Sequence, residues 1–352
     1  MNRNKQTTYK QTMKRSTKEY IKAKNKQELS LKNLYLDIQK DLDEVEEELK
    51  LFSHSSNKLI SEISTYLFQK AGKRIRPALL LLCTKLFGYK GKEHIFMSTL
   101  VETIHTASLI HDDIIDNSDV RRGRESVHAK WGPNVTVLLG DYLYIKTLGL
   151  SLLSKHREIT QILTDVSSKM IEGELNEYYI SGNLDIKEKD YLDIINKKTA
   201  ALFSASCRIG GILGNAPKKE EDFLSEFGTN LGMSFQIIDD LLDYTGDEKT
   251  LGKPILSDLS EGRITLPLIY TLNNDGKANR NRITNLLRKK NLEKNYKEEI
   301  LDIIKSNGAL DYTYKKAEEF SLKSKEIINQ LPKSSHRNAL FLFSEFILDR
   351  NK

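Results

Sequence analysis

The chain has 352 residues, of which 39% are hydrophobic and 30% charged, with six prolines, 19 glycines and two cysteines. So few prolines and glycines are atypical of loop-rich all-β proteins and of low-complexity disorder, and the length suffices for one large core or two smaller ones. Cys83 and Cys207 lie in apolar stretches without CxxC spacing. We therefore predict reduced core thiols and exclude structural zinc and a disulfide framework.

The net charge of +6 is concentrated at the start of the chain. Residues 1–26 carry nine Lys or Arg and one Glu, which gives +8 and leaves −2 for residues 27–352. This Lys-rich composition predicts a solvated, disordered extension over residues 1–28, with a transit peptide or a loose lipid anchor as alternatives. The slightly acidic body argues against nucleic-acid binding.

The start of the chain also bears on the expected compartment. No apolar run approaches the ~18 residues of a membrane span, and the first residues lack the apolar core of a signal peptide. We expect a cytoplasmic protein with at most peripheral membrane contact, or an organellar one if the basic segment is a transit peptide.

From Leu29 onward, apolar residues recur every three or four positions, which predicts helices almost throughout. The stretch from Leu31 to Leu49 has one apolar stripe, GKRIRP at 72–77 interrupts the period, and Ala78–Phe87 is apolar on nearly all sides, as in a central helix. Because no alternating strands, repeats or linkers are evident, we predict one all-α bundle over residues 29–352. The predicted breaks are Gly88, Asn117–Ser118, Gly132–Pro133, Ser181–Gly182, Gly214–Pro217, Gly246–Asp247 and Leu331–Pro332.

An aspartate cluster stands at the end of one predicted helix. His105, Ser108, Asp112 and Asp116 share one helical face, and the two aspartates lie one turn apart. Like charges at that spacing repel, and their neighbours are apolar, so a solvated acidic face is a poor explanation. A single DDxxD is often only a helix terminus.

The same pattern recurs 127 residues later, at Asp239, Asp240 and Asp243. Two apolar helices that each present carboxylates are explained if they face each other across hard cations. All-oxygen ligands select Mg²⁺ or Mn²⁺, and Mg²⁺ typically takes one or two carboxylates together with waters and substrate phosphates.

Cations stand near the ends of these segments, where an anionic substrate would meet them. Each one alone is more often a solvated surface residue. Together they fit two diphosphates, one over metal and one over Lys and Arg alone, since Arg suits bidentate phosphate contacts. They are Lys73, Arg74, Arg76, Arg121, Arg122, Lys197, Lys198 and Lys253.

These motifs resemble the trans-isoprenyl diphosphate synthases, in particular their long-chain polyprenyl branch. The resemblance covers roughly residues 30–350, with the motifs in order. They are GKRIRP at 72–77, HxxxxxHDDxxD at 105–116, RRG at 121–123, GD at 140–141, KTA at 198–200 and FQxxDDxxDY…GK at 235–253. One departure is Arg263, where a Lys is common.

The resemblance implies an all-α homodimeric prenyltransferase that joins isopentenyl diphosphate to an allylic diphosphate, with two or three Mg²⁺ ions and without a protein nucleophile. The implied metal ligands are Asp112, Asp116 and Asp239, with Asp240 and Asp243 nearby. The implied isopentenyl diphosphate contacts are Lys73, Arg76, His105 and Arg122. The implied allylic diphosphate contacts are Arg121, Lys198 and Lys253. Thr199 and Gln236 would turn oxygen dipoles toward the developing cation.

Product length is expected to depend on the helix that precedes Asp112. Ala107 and Ser108 are small where relatives that make short products are typically bulky, which predicts an open channel, and Tyr144 and Leu148 are the predicted floor. Close helix packing is the alternative explanation for the two small residues.

A shorter-chain synthase and the catalytic subunit of a heteromeric synthase remain alternatives for the whole protein. A class I terpene cyclase is disfavoured because its second motif usually differs from DDxxD.

Overall fold

The computed structural model describes residues 34–52, 54–69, 72–246, 255–274, 276–288 and 295–349. The segment 1–28 and Lys253 lie outside these ranges, so the predictions made for them stay predictions. The first half contains, after a 3₁₀ turn at Leu36–Ile38, the elements α1 Gln39–Phe52, α2 Lys58–Phe68, α3 Ile75–Leu86, α4 Glu93–Ile115, β1 Val120–Arg121, β2 Arg124–Glu125, α5 Val127–Trp131 and α6 Pro133–Ser151.

The described residues of the second half are helical, apart from the turns that connect the helices. A π-helical turn, Asn196–Ala200, joins two of its helices. The helices are α7 Arg157–Ile180, α8 Glu188–Ile195, α9 Ala201–Leu213, α10 Lys218–Thr245, α11 Ser257–Ser260, α12 Leu266–Asn274, α13 Gly276–Arg288, α14 Tyr296–Ser306, α15 Ala309–Ile328 and α16 Ser335–Asp349. This architecture confirms the all-α prediction.

The predicted breaks separate helices where they are described, but the structure also interrupts the helices at places that were not predicted, such as 152–156 and 307–308. Helix α3 begins at Ile75, inside GKRIRP, because Pro77 stands in the first turn, where a missing N–H costs no hydrogen bond. RRG at 121–123 closes a hairpin that was not predicted. Arg122 and Gly123 both have positive φ, 53° and 74°, as a two-residue hairpin turn requires. Two-residue strands are too short to reveal a period of two.

Helix α3 is the centre of the bundle, as its all-round apolar sequence predicts. Leu79, Leu80, Leu81 and Leu82 are completely buried. Leu80 contributes to one core cluster and the other three to a second, so α3 joins the two cores. Helices α4 and α9 pack on α3, α10 packs on α9, and α15 packs on α10. This arrangement fixes α4 and α10, which carry the two aspartate clusters. No helix within the described ranges has the length and apolarity needed to cross a bilayer.

Candidate active site

A cavity of about 550 Å³ lies between α4, α6, α7, the π-helical turn and α10. It brings together most of the residues that the sequence singles out, although these are spread over more than 160 positions. The predicted site residues that line it are Arg76, His105, Ser108, Asp112, Arg121, Arg122, Lys198, Thr199, Gln236 and Asp239. Met170, Ile171, Leu175 and Phe235 add apolar wall. Charged groups and an apolar surface therefore share one space.

The first aspartate cluster stands at the C-terminal end of α4. Asp112 is half-buried on the cavity wall, and Asp116 is the residue that ends the helix. Burial raises the pKa of the Asp112 carboxyl to about 7, and the negative charges of Glu174 and Asp116 act in the same direction, against Lys198. Asp116 is engaged by Arg263, whose Nη1 lies 2.8 Å from its Oδ1. Such crowded carboxylates favour the binding of cations.

The second cluster contributes one carboxylate to the cavity, while its other two members, predicted to lie near the metal, point elsewhere. Asp239 is exposed to the cavity. Asp240 is buried and accepts hydrogen bonds from Tyr191 at 2.6 Å and Gln236 at 2.7 Å. Asp243 is fully buried. Neither Asp240 nor Asp243 lines the cavity, so both support the site from behind.

Asp243 fixes the segment that follows α10. Its Oδ1 accepts hydrogen bonds from the hydroxyl of Ser257 at 2.6 Å and from the Ser257 N–H at 3.2 Å, and its Oδ2 accepts one from the Asp258 N–H at 3.1 Å. The last aspartate of the motif therefore organises the first turn of α11. Helix α11 in turn precedes Arg263, which reaches Asp116 of the first cluster.

Lys198 lies on the cavity wall within an acidic pair that the sequence did not reveal. Its Nζ is 2.7 Å from Glu174 Oε2 and 2.5 Å from Glu177 Oε2, both on α7. A Cβ at Gly173 would lie 2.8 Å from the Lys198 N atom, so the glycine allows α7 to approach the π-helical turn this closely. The GEL segment at 173–175 lacks the DDxxD signature, which is why Glu174 was missed.

The GKRIRP segment presents its basic residues in different directions. Arg74, with φ of 49°, turns inward and binds Glu46 and Glu102, with Nη1 2.6 Å from Glu102 Oε1. Its pairing corrects the sequence-based grouping of Arg74 with the substrate cations. Lys73 is exposed, while Arg76 enters the cavity and its guanidinium lies over the Phe203 ring. Arg74 thus anchors the start of α3, and Arg76 reaches the cavity from the first turn of this helix.

Arg76 and His105 form a basic wall together with Arg122. The Nε of Arg76 is buried and has no hydrogen-bond partner among the described residues. Desolvation lowers the pKa of Arg76 to about 10, so it stays charged at neutral pH. Desolvation and then the charges of Arg76 and Arg122 hold the pKa of His105 well below its usual value. The unpaired Nε of Arg76 leaves this wall with a buried donor that can receive an anion.

The other arginine of the RRG hairpin also lines the cavity. Arg121 donates from Nε to Oδ1 of Asp113, 2.5 Å away. Asp113, between the two expected ligands of the first cluster, is buried. It fixes Arg121 rather than facing the cavity.

His111 and the GD motif explain how α4 and α6 meet beside the cavity. A Cβ at Gly140 would lie 2.0 Å from His111 Nε2, so only glycine leaves room for the imidazole ring. The ring nitrogen lies 3.1 Å from the Val137 carbonyl oxygen, and the ring centroid lies 6.1 Å from that of Tyr144.

The residues expected to control product length take different positions. Ser108 lines the cavity, whereas Ala107 is fully buried within a core cluster and Leu148 packs against that cluster. Tyr144 lines the cavity as expected, but its apolar neighbours there are Met170, Ile171 and Leu175 of α7. One turn of α4 cannot place both Ala107 and Ser108 on the same face, which explains the difference.

The described residues do not form a cluster of three His, Cys, Asp or Glu side chains that could hold a metal ion by themselves. Asp112, Asp116 and Asp239 are nevertheless oxygen donors on two facing helices. This donor set fits Mg²⁺ or Mn²⁺, because Mg²⁺ keeps most of its shell as water and substrate phosphate and needs one or two carboxylates. The residues therefore fit a metal that arrives together with a diphosphate.

Comparison with known proteins gives the family. The family model "Polyprenyl synthetase" matches residues 57–304. An octaprenyl diphosphate synthase of Haemophilus influenzae is 33% identical over 311 residues, 88% of this chain and 94% of the relative. A geranylgeranyl diphosphate synthase of Sulfolobus acidocaldarius is 37% identical over 308 residues, 83% of this chain and 91% of the relative.

Solved structures agree with the sequence relatives. The crystal structure of a polyprenyl synthase from Caulobacter crescentus, complexed with calcium and isoprenyl diphosphate, superposes with a TM-score of 0.86 at 30% identity and covers 92% of this chain and 98% of its own. That relative binds a divalent cation and a diphosphate within the same fold. The chain described here belongs to the polyprenyl synthetase family.

Proposed function

We propose that this enzyme condenses isopentenyl diphosphate head-to-tail with an allylic diphosphate, and repeats the step to make a long-chain all-trans polyprenyl diphosphate. One observation carries the proposal. A single cavity joins carboxylates from two helices, Asp112 and Asp239, to a basic wall and an apolar wall. Neither a nucleophile nor a redox group is needed for the reaction that such a cavity can support.

The cations divide into two groups that fit two diphosphates. Arg76, His105 and Arg122 form the basic wall described above, and we assign isopentenyl diphosphate to it, with Lys73 at its rim. Lys198 and Arg121 stand beside the carboxylates, and we assign the allylic diphosphate to them. The unpartnered Arg76 Nε supports the first assignment, because a buried donor without an acceptor costs roughly 1–3 kcal/mol until an anion arrives.

We propose that Asp112, Asp116 and Asp239 hold two or three Mg²⁺ ions, with Mn²⁺ as a substitute. Bound there, the ions supply positive charge to a departing diphosphate. Lys198 neutralises the same leaving group through a charge-assisted contact, and Thr199 and Gln236 direct oxygen lone pairs toward the allylic carbon as it becomes cationic. Phe235 and Met170 keep water from that carbon. The isopentenyl double bond then forms the new C–C bond, and loss of a proton restores the alkene.

The chain length of the product is the part of the proposal with a specific alternative. Ser108 leaves room beside Asp112, and Met170, Ile171 and Leu175 continue the apolar surface away from the carboxylates. This supports a tail that grows along α4 and α7 beyond the length of geranylgeranyl. Similarity to both octaprenyl and geranylgeranyl synthases keeps the shorter product as the alternative.

A second copy of the chain is proposed to cover an apolar face of α6 and α7. Ile145 is 73% exposed and Tyr179 88% exposed, which is unusual for such large side chains on regular helices. Eight exposed residues at roughly 100 Å² each give on the order of 800 Å², the area that one partner contributes to a standard interface. They are Val137, Leu138, Ile145, Leu152, Ile171, Leu175, Tyr178 and Tyr179.

The proposed homodimer is tested by substituting a residue at the centre of this face. Ile145→Glu places a charge where the monomer is already exposed, so folding should be unaffected while the mass measured by light scattering falls from dimer to monomer. Leu36→Glu, at an exposed leucine outside the face, is the matched control. A wild-type monomer at micromolar concentration would contradict the dimer and support the heteromeric alternative.

A cytoplasmic location with at most peripheral membrane contact completes the proposal. The composition of the basic segment supports it, because the segment is rich in Lys, Asn and Gln whereas a transit peptide is typically rich in Arg and Ser. Cell fractionation of the full chain tests it, and recovery inside an organelle would instead indicate that the basic segment is a transit peptide.

The activity is tested by incubating the full-length protein with labelled isopentenyl diphosphate, Mg²⁺ and geranyl, farnesyl or geranylgeranyl diphosphate. Products are dephosphorylated and sized by chromatography. We expect chains longer than geranylgeranyl and no product after chelation or in Asp112→Ala, which should remain folded by circular dichroism. Accumulation of geranylgeranyl diphosphate alone would support the shorter-chain alternative. Activity that survives exhaustive chelation would contradict the metal-assisted mechanism.

A further inference from the structure

Arg263 connects the two aspartate motifs, directly at Asp116 and through Asp258 at Asp243. It follows α11, the helix that Asp243 organises, and its Nη1 lies 2.8 Å from Oδ1 of Asp116. Its Nη2 lies 2.9 Å from Asp258 Oδ1 and also contacts Glu261. The Arg263 and Asp116 side chains are each only 19% exposed, so solvent weakens these ion pairs little.

The contact to Asp116 conflicts with the metal that this carboxylate is proposed to hold. A divalent cation on the same Oδ1 would stand within a few ångströms of the guanidinium, and like charges at that separation repel strongly in a partly buried site. Metal and Arg263 therefore compete for one oxygen. The guanidinium can leave Asp116 at modest cost because Asp258 and Glu261 still hold it.

We propose that Arg263 is a positioning residue that holds the Asp116 carboxylate in the metal-free enzyme and yields it to a divalent cation. This inference rests on the proposed function, since it requires Asp116 to be a metal ligand. An arginine suits this role better than a lysine. Its planar fork contacts three carboxylates at once, which the single ammonium of a lysine would do with more difficulty.

The test measures metal binding without substrate, so that activity plays no part. Mn²⁺ binding to the full-length protein is followed by the electron paramagnetic resonance signal of free Mn²⁺. Arg263→Gln removes the competing charge and should lower the Mn²⁺ dissociation constant on the order of tenfold. A single charge within ~4–6 Å changes an ionic equilibrium constant by at least about this factor. Arg263→Lys should fall between Arg263→Gln and wild type.

Thermal unfolding separates this role from a purely structural one. Without metal, Arg263→Gln should melt below wild type, because Asp116, Asp258 and Glu261 lose their shared cation. Saturating Mn²⁺ should then raise its melting temperature by more than it raises that of wild type. Arg280→Gln is the matched control, since Arg280 binds Asp185 and two carbonyl oxygens far from the aspartates, and it should leave Mn²⁺ affinity unchanged.

Two results would overturn the inference in distinguishable ways. The first is that wild type binds Mn²⁺, that Asp116→Asn does not, and that Arg263→Gln binds it no more tightly than wild type. Arg263 would then only support the fold. No Mn²⁺ binding by wild type would contradict the proposed metal site itself, and the competition with it.

Discussion

The hydroxyl of Thr199 donates a hydrogen bond to Oε1 of Gln236, 2.7 Å away, and so ties the π-helical turn to α10. The Nε2 of the same amide donates to Oδ1 of Asp240, whose Oδ2 accepts from Tyr191. Although burial raises the pKa of Asp240, both of its oxygens accept hydrogen bonds here, so it sets the direction of the Gln236 amide. The Thr199 hydroxyl uses its hydrogen in the bond to Gln236, so the lone pairs of its oxygen remain available as acceptors at the cavity wall.

This chain of hydrogen bonds predicts different outcomes at two adjacent aspartates. Asp239→Asn should weaken metal binding and turnover together, because Asp239 faces the cavity. Asp240→Asn should leave metal affinity unchanged but lower kcat about tenfold or more, since the new amide allows Gln236 to reverse and the loss of a charged hydrogen bond costs ~1.5–3 kcal/mol. Mn²⁺ binding and steady-state kinetics on both variants measure this. A loss of metal affinity in Asp240→Asn would show that Asp240 is itself a ligand.

The two groups of cations predict a second contrast. Arg76→Ala should raise the apparent KM for isopentenyl diphosphate, and Lys198→Ala should act mainly on the allylic substrate. Each loses a charge-assisted contact of ~1.5–3 kcal/mol, hence roughly ten- to hundredfold in kcat/KM for its own substrate. Arg74→Ala is a useful comparison, because it should lower stability by leaving Glu102 buried and unpaired. Equal effects of the first two variants on both substrates would mean that the cations are wrongly assigned.

The depressed pKa of His105 predicts a pH dependence of stability. The unfolded chain binds a proton near pH 6.5, whereas desolvation and the nearby arginines keep folded His105 neutral to lower pH. The unfolded state then holds more protons, so the free energy of unfolding decreases as the pH falls below about 6.5. His105→Asn should reduce that decrease, measured by urea unfolding at pH 7.5 and 5.5. The exposed His54→Asn is the control, and an identical pH response in wild type and His105→Asn would contradict the prediction.

The sequence predicted well what periodicity and motif spacing determine. The helix breaks, the central helix α3 and the meeting of Asp112 with Asp239 all follow from apolar period and turn residues. It predicted poorly which member of a motif faces the cavity. Asp239 and Asp240 are adjacent on α10 and differ by ~100° in direction, and only the packing of Tyr191 against Asp240 decides between them.

The partners in ion pairs also could not be predicted from the sequence. Glu102 and Arg74 are 28 residues apart, and Glu177 and Lys198 are 21 apart. Nothing in the local pattern distinguishes these residues from solvated charges. Their pairing depends on which helix turns come into contact, a property of the tertiary fold. The same reason explains why Arg263, noted in the sequence only as a departure, proves to connect the two motifs.

The last prediction concerns product length, and the structure distinguishes the two residues that the sequence placed at the channel entrance. Ala107 is buried in the core, where a Phe would overfill the packing at a cost of typically 1–3 kcal/mol. Ser108 faces the cavity beside Asp112. Ser108→Phe should therefore shorten products to the farnesyl or geranylgeranyl class, because the ring blocks the path of the tail while the carboxylates stay in place.

Three companion variants decide whether the tail follows this route. Ala107→Phe should lower the melting temperature and shorten products less than Ser108→Phe, since the added ring presses on the wall instead of entering the cavity. Met170→Ala should lengthen products if Met170 stands in the path of the tail, whereas Leu148→Ala, outside the cavity, should not. Product sizing after reaction with farnesyl diphosphate measures all four variants. If Ser108→Phe makes the same long products at the same rate, the tail does not pass this face of α4, and small residues there serve helix packing alone.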